Sequence, residues 1–229
     1  MAKNVTVQEN GFAIVKGLIT PEQTQTIIEE IDRAKIKDKH GIRNADKKFN
    51  AIKQLIESKA VQELVASILG TRTSSTSAQL VRAIFFDKTP NKNWLVTWHQ
   101  DKTVALNTKA DITNWGPWSF KDGVHHVQPD ISVLNQMITL RIHLDDSDNN
   151  NGCLKVIPKS HMHGILTQEQ IAQITASHTA HYCEVNTGDT LLMRPLLLHS
   201  SSKSTTPKHR RVIHLEFSNY NLPHNLHWA

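Results

Sequence analysis

Apolar positions in the first third of the chain recur at helical spacing; in the remainder they come in short runs bounded by turn formers. Thr20-Pro21-Glu22-Gln23 supplies a capping threonine, a proline for the first helical position and a glutamine where a capping box needs one. Ile27, Ile28 and Ile31 then return every three to four residues, which predicts an amphipathic helix. Ile52, Leu55 and Ile56 predict a second helix. Val61, Leu64, Val65, Ile68 and Leu69 predict a third, which stops at Gly70, a residue suited to a left-handed helix end. Residues 40–44 between the first two are polar and turn-like. Residues 1–77 therefore read as a mostly helical flank.

From Ala78 the texture changes. Residues 80–86 form a β-rich run closed by the turn-like Asp87-Lys88-Thr89-Pro90, and further short runs lie at 94–98, 137–144, 153–157, 190–198 and 212–217. Asn/Asp/Gly/Pro/Ser turns separate them, as at 145–152 and 186–189. Short strands without alternating long helices argue against a doubly wound sheet and suit a sandwich or jelly roll with helices laid outside it. No repeat, linker or low-complexity tract divides the chain, so one domain over 1–229 is expected, with a β core over 78–229. Residues 102–130, with Trp115-Gly116-Pro117-Trp118, are too many for a simple turn and read as an insertion that either caps a pocket or is pinned by its tryptophans.

Composition narrows the class. With 38% hydrophobic residues and no apolar run of about 18, the chain has material for one core and predicts no membrane span. The start holds no secretory pattern, and two cysteines, Cys153 and Cys183, exclude a disulfide scaffold or a cysteine-rich zinc module. A reduced, cytoplasmic globular protein is the expectation. The net charge of +5 is scattered, its densest cluster being the short Lys208-His209-Arg210-Arg211, so nucleic acid is not the expected partner. The 14 histidines invite a search for a metal site.

That search finds Trp98-His99-Gln100-Asp101. Residues i and i+2 of a strand share a face, so His99 and Asp101 can aim an imidazole and a carboxylate at one point; a strand end with a capped aspartate is the plainer alternative. The run 190–198 is an apolar strand closed by His199, 100 residues after His99, and jelly-roll connections bring such distant strands together. Two imidazoles and one carboxylate leave open positions on a metal, the arrangement of non-haem Fe(II) oxygenases. Eleven residues further, Arg210 opens the last strand. A guanidinium aimed into a barrel needs an anion, and a dicarboxylate could bridge it to the metal. Arg211, on the other face, is expected to pair with a surface acid. Other histidines (125, 126, 161, 163, 224, 227) show no ligand spacing.

These pieces together resemble the phytanoyl-CoA dioxygenase (PhyH) family of Fe(II)/2-oxoglutarate oxygenases. The resemblance runs from Asn10-Gly11-Phe12-Ala13-Ile14-Val15 nearly to the C-terminus. It is strongest at Trp98-His99-Gln100-Asp101, at the block from Asn150-Asn151-Gly152-Cys153 to Pro158-Lys159-Ser160-His161, and at His199-Ser200-Ser201 followed by Arg210. Lys159 departs from it, standing where glycine is usual.

The resemblance implies a mainly β fold with flanking α-helices, a cupin-like jelly roll known as the double-stranded β-helix. It further implies that His99, Asp101 and His199 bind Fe(II) and form the catalytic centre, and that Arg210 holds the distal carboxylate of 2-oxoglutarate. Gln100 would lie near cosubstrate or substrate. Arg141 would line the 2-oxoglutarate pocket, unless it forms a strand salt bridge, and Arg82 is a further candidate of that kind. The implied reaction consumes O2, releases succinate and CO2, and hydroxylates (or desaturates) a small polar or anionic metabolite. A cupin-like metalloenzyme that does not use 2-oxoglutarate, or a non-catalytic basic binding module, are the rival readings. Oligomeric state is not legible.

Overall fold

The computed structural model describes residues 2–35, 41–71, 77–89, 91–121, 123–206, 208–223 and 226–229, so His40, Pro90 and His224 lie outside the described residues. In chain order the elements are α1 (Ala2–Asn10), β1 (Phe12–Val15), α2 (Pro21–Arg33), β2 (Gly41–Arg43), α3 (Ala45–Lys48), α4 (Asn50–Glu57) and α5 (Lys59–Leu69). Strands β3 (Gln79–Lys88), β4 (Val96–His99), β5 (Val104–Leu106), β6 (Trp118–Lys121) and β7 (Val124–Val127) follow. The remainder comprises α6 (Ile131–Leu134), β8 (Met137–His143), β9 (Leu154–Val156), α7 (Gln168–Ser177), β10 (His181–Cys183), β11 (Thr190–Met193), β12 (His199–Ser201) and β13 (Arg210–Ser218).

The helical flank forms as its pattern predicts. Thr20 and Gln23 cap α2 reciprocally, Ser58 caps α5, and Gly70 takes the left-handed C-terminal conformation. Two pieces of the flank are strands instead. β1 pairs with β11, and β2, in the segment read as a turn, pairs with β3 and buries Ile42. Each is an edge strand whose hydrogen bonds come from a partner far along the chain, which local polarity does not register.

The architecture is a mainly β jelly roll flanked by helices. A six-stranded sheet, ordered β1-β11-β8-β13-β3-β2, faces a four-stranded one, ordered β10-β9-β12-β4. The outer face of the larger sheet carries Ala83, Phe85, Ile138, Leu140, Ile142, Leu192, Ile213 and Leu215, which form one apolar cluster with Ile27, Ile31, Ile52, Leu55, Val61 and Val65 of the helices. Strict alternation then turns Arg82, Ile84, Phe86 and Lys88 of β3, Thr139, Arg141 and His143 of β8, and Arg210, Val212, His214 and Glu216 of β13 toward the space between the sheets. Burying that many polar groups is costly unless they have partners or a ligand. The interior polar set is therefore the feature of this fold that calls for a functional account.

Three further strand readings change. The run 190–198 is not one strand closed by His199: β11 ends at Met193, the chain turns through Arg194-Pro195, and His199 opens β12 in the other sheet. Pro195 has no N–H to continue a ladder. Lys88, read as a turn residue, extends β3. The insertion 102–130 carries β5, β6 and β7 as a small sheet ordered β5-β7-β6, and Trp115 and Trp118 pack against its apolar cluster rather than line a pocket. Helix α7, absent from the sequence reading, is capped by Thr167 with Gln170 and covers the β4 side of the smaller sheet with Ile171. Among the described residues no helix is long and apolar enough to cross a membrane.

Candidate active site

One register pair brings the two histidines together. His199 of β12 lies directly opposite His99 of β4, so a separation of 100 residues closes to neighbouring strands and ring centroids 4.1 Å apart. The ladder contains a bulge: His199 pairs with His99 but Ser201 pairs with Val96, two residues against three. The extra residue in β4 lets Val96 and His99 both face the interior, which plain alternation forbids. Asp101 lies just beyond the strand, where its N–H donates to Pro195 O at 2.9 Å.

Each imidazole is oriented from behind. His99 Nδ1 donates to Thr97 O at 2.8 Å and His199 Nδ1 to Leu197 O at 2.9 Å, which leaves both Nε2 atoms to serve as the ligand nitrogens. His99 Nε2 is 3.7 Å from Asp101 Oδ1, and His199 Nε2 is 3.6 Å from Asp101 Oδ2. The three ligand atoms lie within 4.8 Å of one another. Asp101 Oδ2 is buried without a hydrogen bond, an acceptor left over for a cation. Burial alone would push the Asp101 carboxyl up; His199, His214, His99 and Arg82 outweigh it and hold the group at about 2. Burial presses the His199 imidazole down to about 4 against the pull of Asp101. Carboxylate and imidazole are thus in their metal-binding forms at neutral pH, and the donor set fits a divalent ion such as Fe(II).

Across from the triad, Arg141, Arg210, His214, Glu216, Arg82, Ile84, Phe86 and Trp94 line an open-mouthed cavity of about 130 Å³. Arg210 is buried at 3% exposure; its Nη1 donates to Gly152 O at 2.7 Å and its Nε has no partner. Burial, with Arg141 next to it, draws its guanidinium down to about 9, the mark of a buried cation without a counter-ion. Arg141, also buried, makes no strand salt bridge: its Nη1 donates to His214 Nδ1 at 2.9 Å. His214 must then carry its proton on Nε2, which donates to Glu216 Oε1 at 3.0 Å.

Two expected site residues stand elsewhere. Gln100 does not face the cavity. Its amide nitrogen donates to Gly164 O and Leu196 O, both at 2.8 Å, and its oxygen accepts from Leu166 N, so it ties the segment ahead of α7 to the turn before His199. Arg82 lines the cavity but at the other end from Arg210: its cross-strand partner is Glu216, 3.3 Å from its Nε, and it also donates to Thr103 O. Glu216 is six residues along β13 from Arg210, roughly 20 Å of extended chain, too far for both arginines to grip one small diacid. Arg211 pairs with Asp145, as expected of the outward face. Asn93, ahead of β4, ties down Ser204. Lys88, His214 and Glu216 were missed. Their signal was a period of two: 82, 84, 86, 88 on β3 and 210, 212, 214, 216 on β13 place charged residues at both ends of the inward face.

The family model for phytanoyl-CoA dioxygenase (PhyH) matches residues 7–212. The chain belongs to the phytanoyl-CoA dioxygenase family. Solved structures agree with it in fold. AviO1 from Streptomyces viridochromogenes Tue57 is 18% identical with a TM-score of 0.70, covering 97% of this chain and 96% of its own. EctD from S. alaskensis, solved with 2-oxoglutarate and 5-hydroxyectoine, is 16% identical at 0.72, covering 95% and 75%. The epimerase SnoN, in complex with Fe3+, alpha ketoglutarate and nogalamycin RO, is 13% identical at 0.71, covering 95% and 82%. A comparison with curated protein sequences finds no match. Membership of the PhyH family makes the chain an oxidoreductase.

Proposed function

We propose that this PhyH-family protein is an Fe(II)- and 2-oxoglutarate-dependent dioxygenase that hydroxylates a small polar metabolite and releases succinate and CO2. The observation that carries the reading is the convergence of His99, Asp101 and His199 on one point, with the uncompensated guanidinium of Arg210 on the wall of the same cavity. His99, Asp101 and His199 hold the metal, and Arg210 holds the acid group of 2-oxoglutarate remote from it. When bound, Fe(II) with 2-oxoglutarate would supply the power to reduce O2 and oxidise a C–H bond; the protein's share is binding, orientation and exclusion of water.

Each residue's part in that share follows from its bonds. Thr97 O and Leu197 O fix the imidazole tautomers, so metal uptake needs no proton rearrangement at either ring. Asp101 brings the one negative charge of the ligand set and stays ionised through the physiological range. Arg141 flanks the cosubstrate and orients His214, while Ile84, Phe86, Trp94 and Val96 give the cavity an apolar side. The Arg82–Glu216 pair lies beyond the reach of Arg210, beside Thr103 of the insertion, and there it meets the prime substrate. A carboxylate at position 101 favours hydroxylation over halogenation, which would need that corner free for chloride. The whole reaction is carried by one domain.

The test is anaerobic titration of Fe(II) and 2-oxoglutarate, followed by a metabolite panel scored for substrate-stimulated succinate. Wild type binds both and forms succinate, and Asp101→Ala loses metal affinity by about a hundredfold or more. A wild-type protein that binds iron yet ignores 2-oxoglutarate would leave only the cupin-like reading standing.

A further inference from the structure

One end of the cavity holds more positive charge than its neighbours neutralise. Lys88 and Arg210 are direct cross-strand partners on the inward faces of β3 and β13, and Lys88 is fully buried. Lys88 Nζ donates to Ser201 Oγ at 2.7 Å and to Ser202 O at 2.6 Å, and stands 5.4 Å from the centre of the Trp94 ring. Ser201 Oγ donates in turn to Gly152 O at 2.8 Å, the carbonyl that also accepts from Arg210. Two cations and a cavity-lining hydroxyl are thereby tied to one carbonyl oxygen.

Among the described residues no carboxylate pairs with Lys88 or Arg210. The charged and titratable groups around Lys88 are Arg210 on β13, Arg141 on β8 and Cys153 ahead of β9; β12 offers it only serine oxygens. Asp87, whose charge reaches Arg210, is taken by His209 at 3.0 Å. A buried ammonium whose neighbours are a hydroxyl, a carbonyl and two guanidinium groups is unfavourable unless an anion arrives.

We propose that Lys88 is a second cation for the acid group gripped by Arg210, a positioning residue that holds Ser201 and acts on the anion across that hydroxyl. The proposal rests on the 2-oxoglutarate reading and names a further determinant of the same subsite. Its consequence is a linked proton. Burial first, and the nearby Arg210 and Arg141 next, draw the Lys88 ammonium down to about 7 in the free protein, so above that pH the group is largely neutral. A dianion next to it restores the charge, and binding takes up a proton.

Calorimetric titration of the Mn(II)-loaded protein with 2-oxoglutarate and with 2-oxopentanoate, which has the same keto acid head and no distal acid, separates the cases. Lys88→Met should weaken 2-oxoglutarate by about tenfold or more and leave 2-oxopentanoate within about twofold. In wild type the affinity for 2-oxoglutarate should fall from pH 7 to pH 9, by at most about tenfold per unit for one proton, and that for 2-oxopentanoate should not. A variant that weakens both ligands alike, or a wild-type profile that is the same for both, overturns the role of Lys88 and leaves the oxygenase reading intact. Failure of 2-oxoglutarate to bind wild type overturns both. If Lys88→Met does not fold, the wild-type profile decides alone.

Discussion

Arg210 and Arg211 are adjacent in sequence and opposite in use. Arg210 donates to a backbone carbonyl inside the cavity and leaves its Nε unpaired, whereas Arg211 is bound on the outside by both oxygens of Asp145. Arg210→Ala should therefore raise the 2-oxoglutarate concentration needed for half-saturation by about tenfold or more, the loss of one buried charge-assisted bond. Arg211→Ala should leave that requirement unchanged and lower only the melting temperature. Saturation curves for succinate formation distinguish the two, and an inverted result would mean the last strand is read in the wrong register. A second residue-scale case is Lys159, which stands where the resembled family has glycine. Its φ is +68°, in the left-handed region that lysine enters at a cost of about 1–2 kcal/mol, partly offset because glycine gives up more backbone entropy on folding. Lys159→Gly should stabilise the protein by up to about 1 kcal/mol, read from denaturant midpoints. At this scale the ligands were legible because His-x-Asp, a distal histidine and an arginine eleven residues on are residue types with few other joint uses. Lys88 was not, since only the strand pairing shows that it is buried opposite Arg210.

Elements convert those residues into a site. The turn over Asn150–Gly152 is built by Asp148, whose Oδ1 accepts from the backbone N–H groups of Asn150 and Asn151, and it ends at Gly152 with φ +75°. A Cβ there would come 2.4 Å from Ser202 O and 3.4 Å from Lys88 Nζ. Gly152 thus permits the close approach that puts its own carbonyl under Arg210 and Ser201. Gly70, with φ +72° and open space around it, is the matched control. Gly70→Ala should cost about 1 kcal/mol, the backbone term alone. Gly152→Ala should cost several kcal/mol and weaken 2-oxoglutarate binding, since the clash moves the carbonyl that anchors the subsite; equal losses of stability in the two variants would remove that role. The bulge in β4 works the same way, re-aiming His99 by one inserted residue. Neither device was readable beforehand. The helices were, because the capping box at Thr20 and apolar spacing are local, while edge strands β1 and β2 are set by partners more than forty residues away in the chain; the break at Arg194-Pro195 was marked by the proline itself.

At the scale of the molecule, the two faces of the larger sheet divide the work. The outer face and the helices make the apolar core, which frees the inner face to bury polar groups at a cost in stability. His143 shows that cost most plainly: it is 1% exposed, both ring nitrogens lack partners, and burial with Arg141 and Arg210 nearby holds it well below its ordinary pKa. His126, facing Arg82 from the insertion, is held at about 4, chiefly by burial. Both imidazoles stay neutral in the folded protein at pH values where an unfolded chain protonates them. The unfolded state therefore binds more protons, and stability, fully present above about pH 6.5, is lost as the pH falls toward 4. The melting temperature of the metal-free protein should decline over that window. Replacing His126 with glutamine, which cannot take up a proton there, should flatten the decline by about one proton's worth, roughly 1.4 kcal/mol per pH unit. A decline of the same slope in wild type and His126→Gln would remove His126 from the account and leave the acid sensitivity to other groups, His143 first among them.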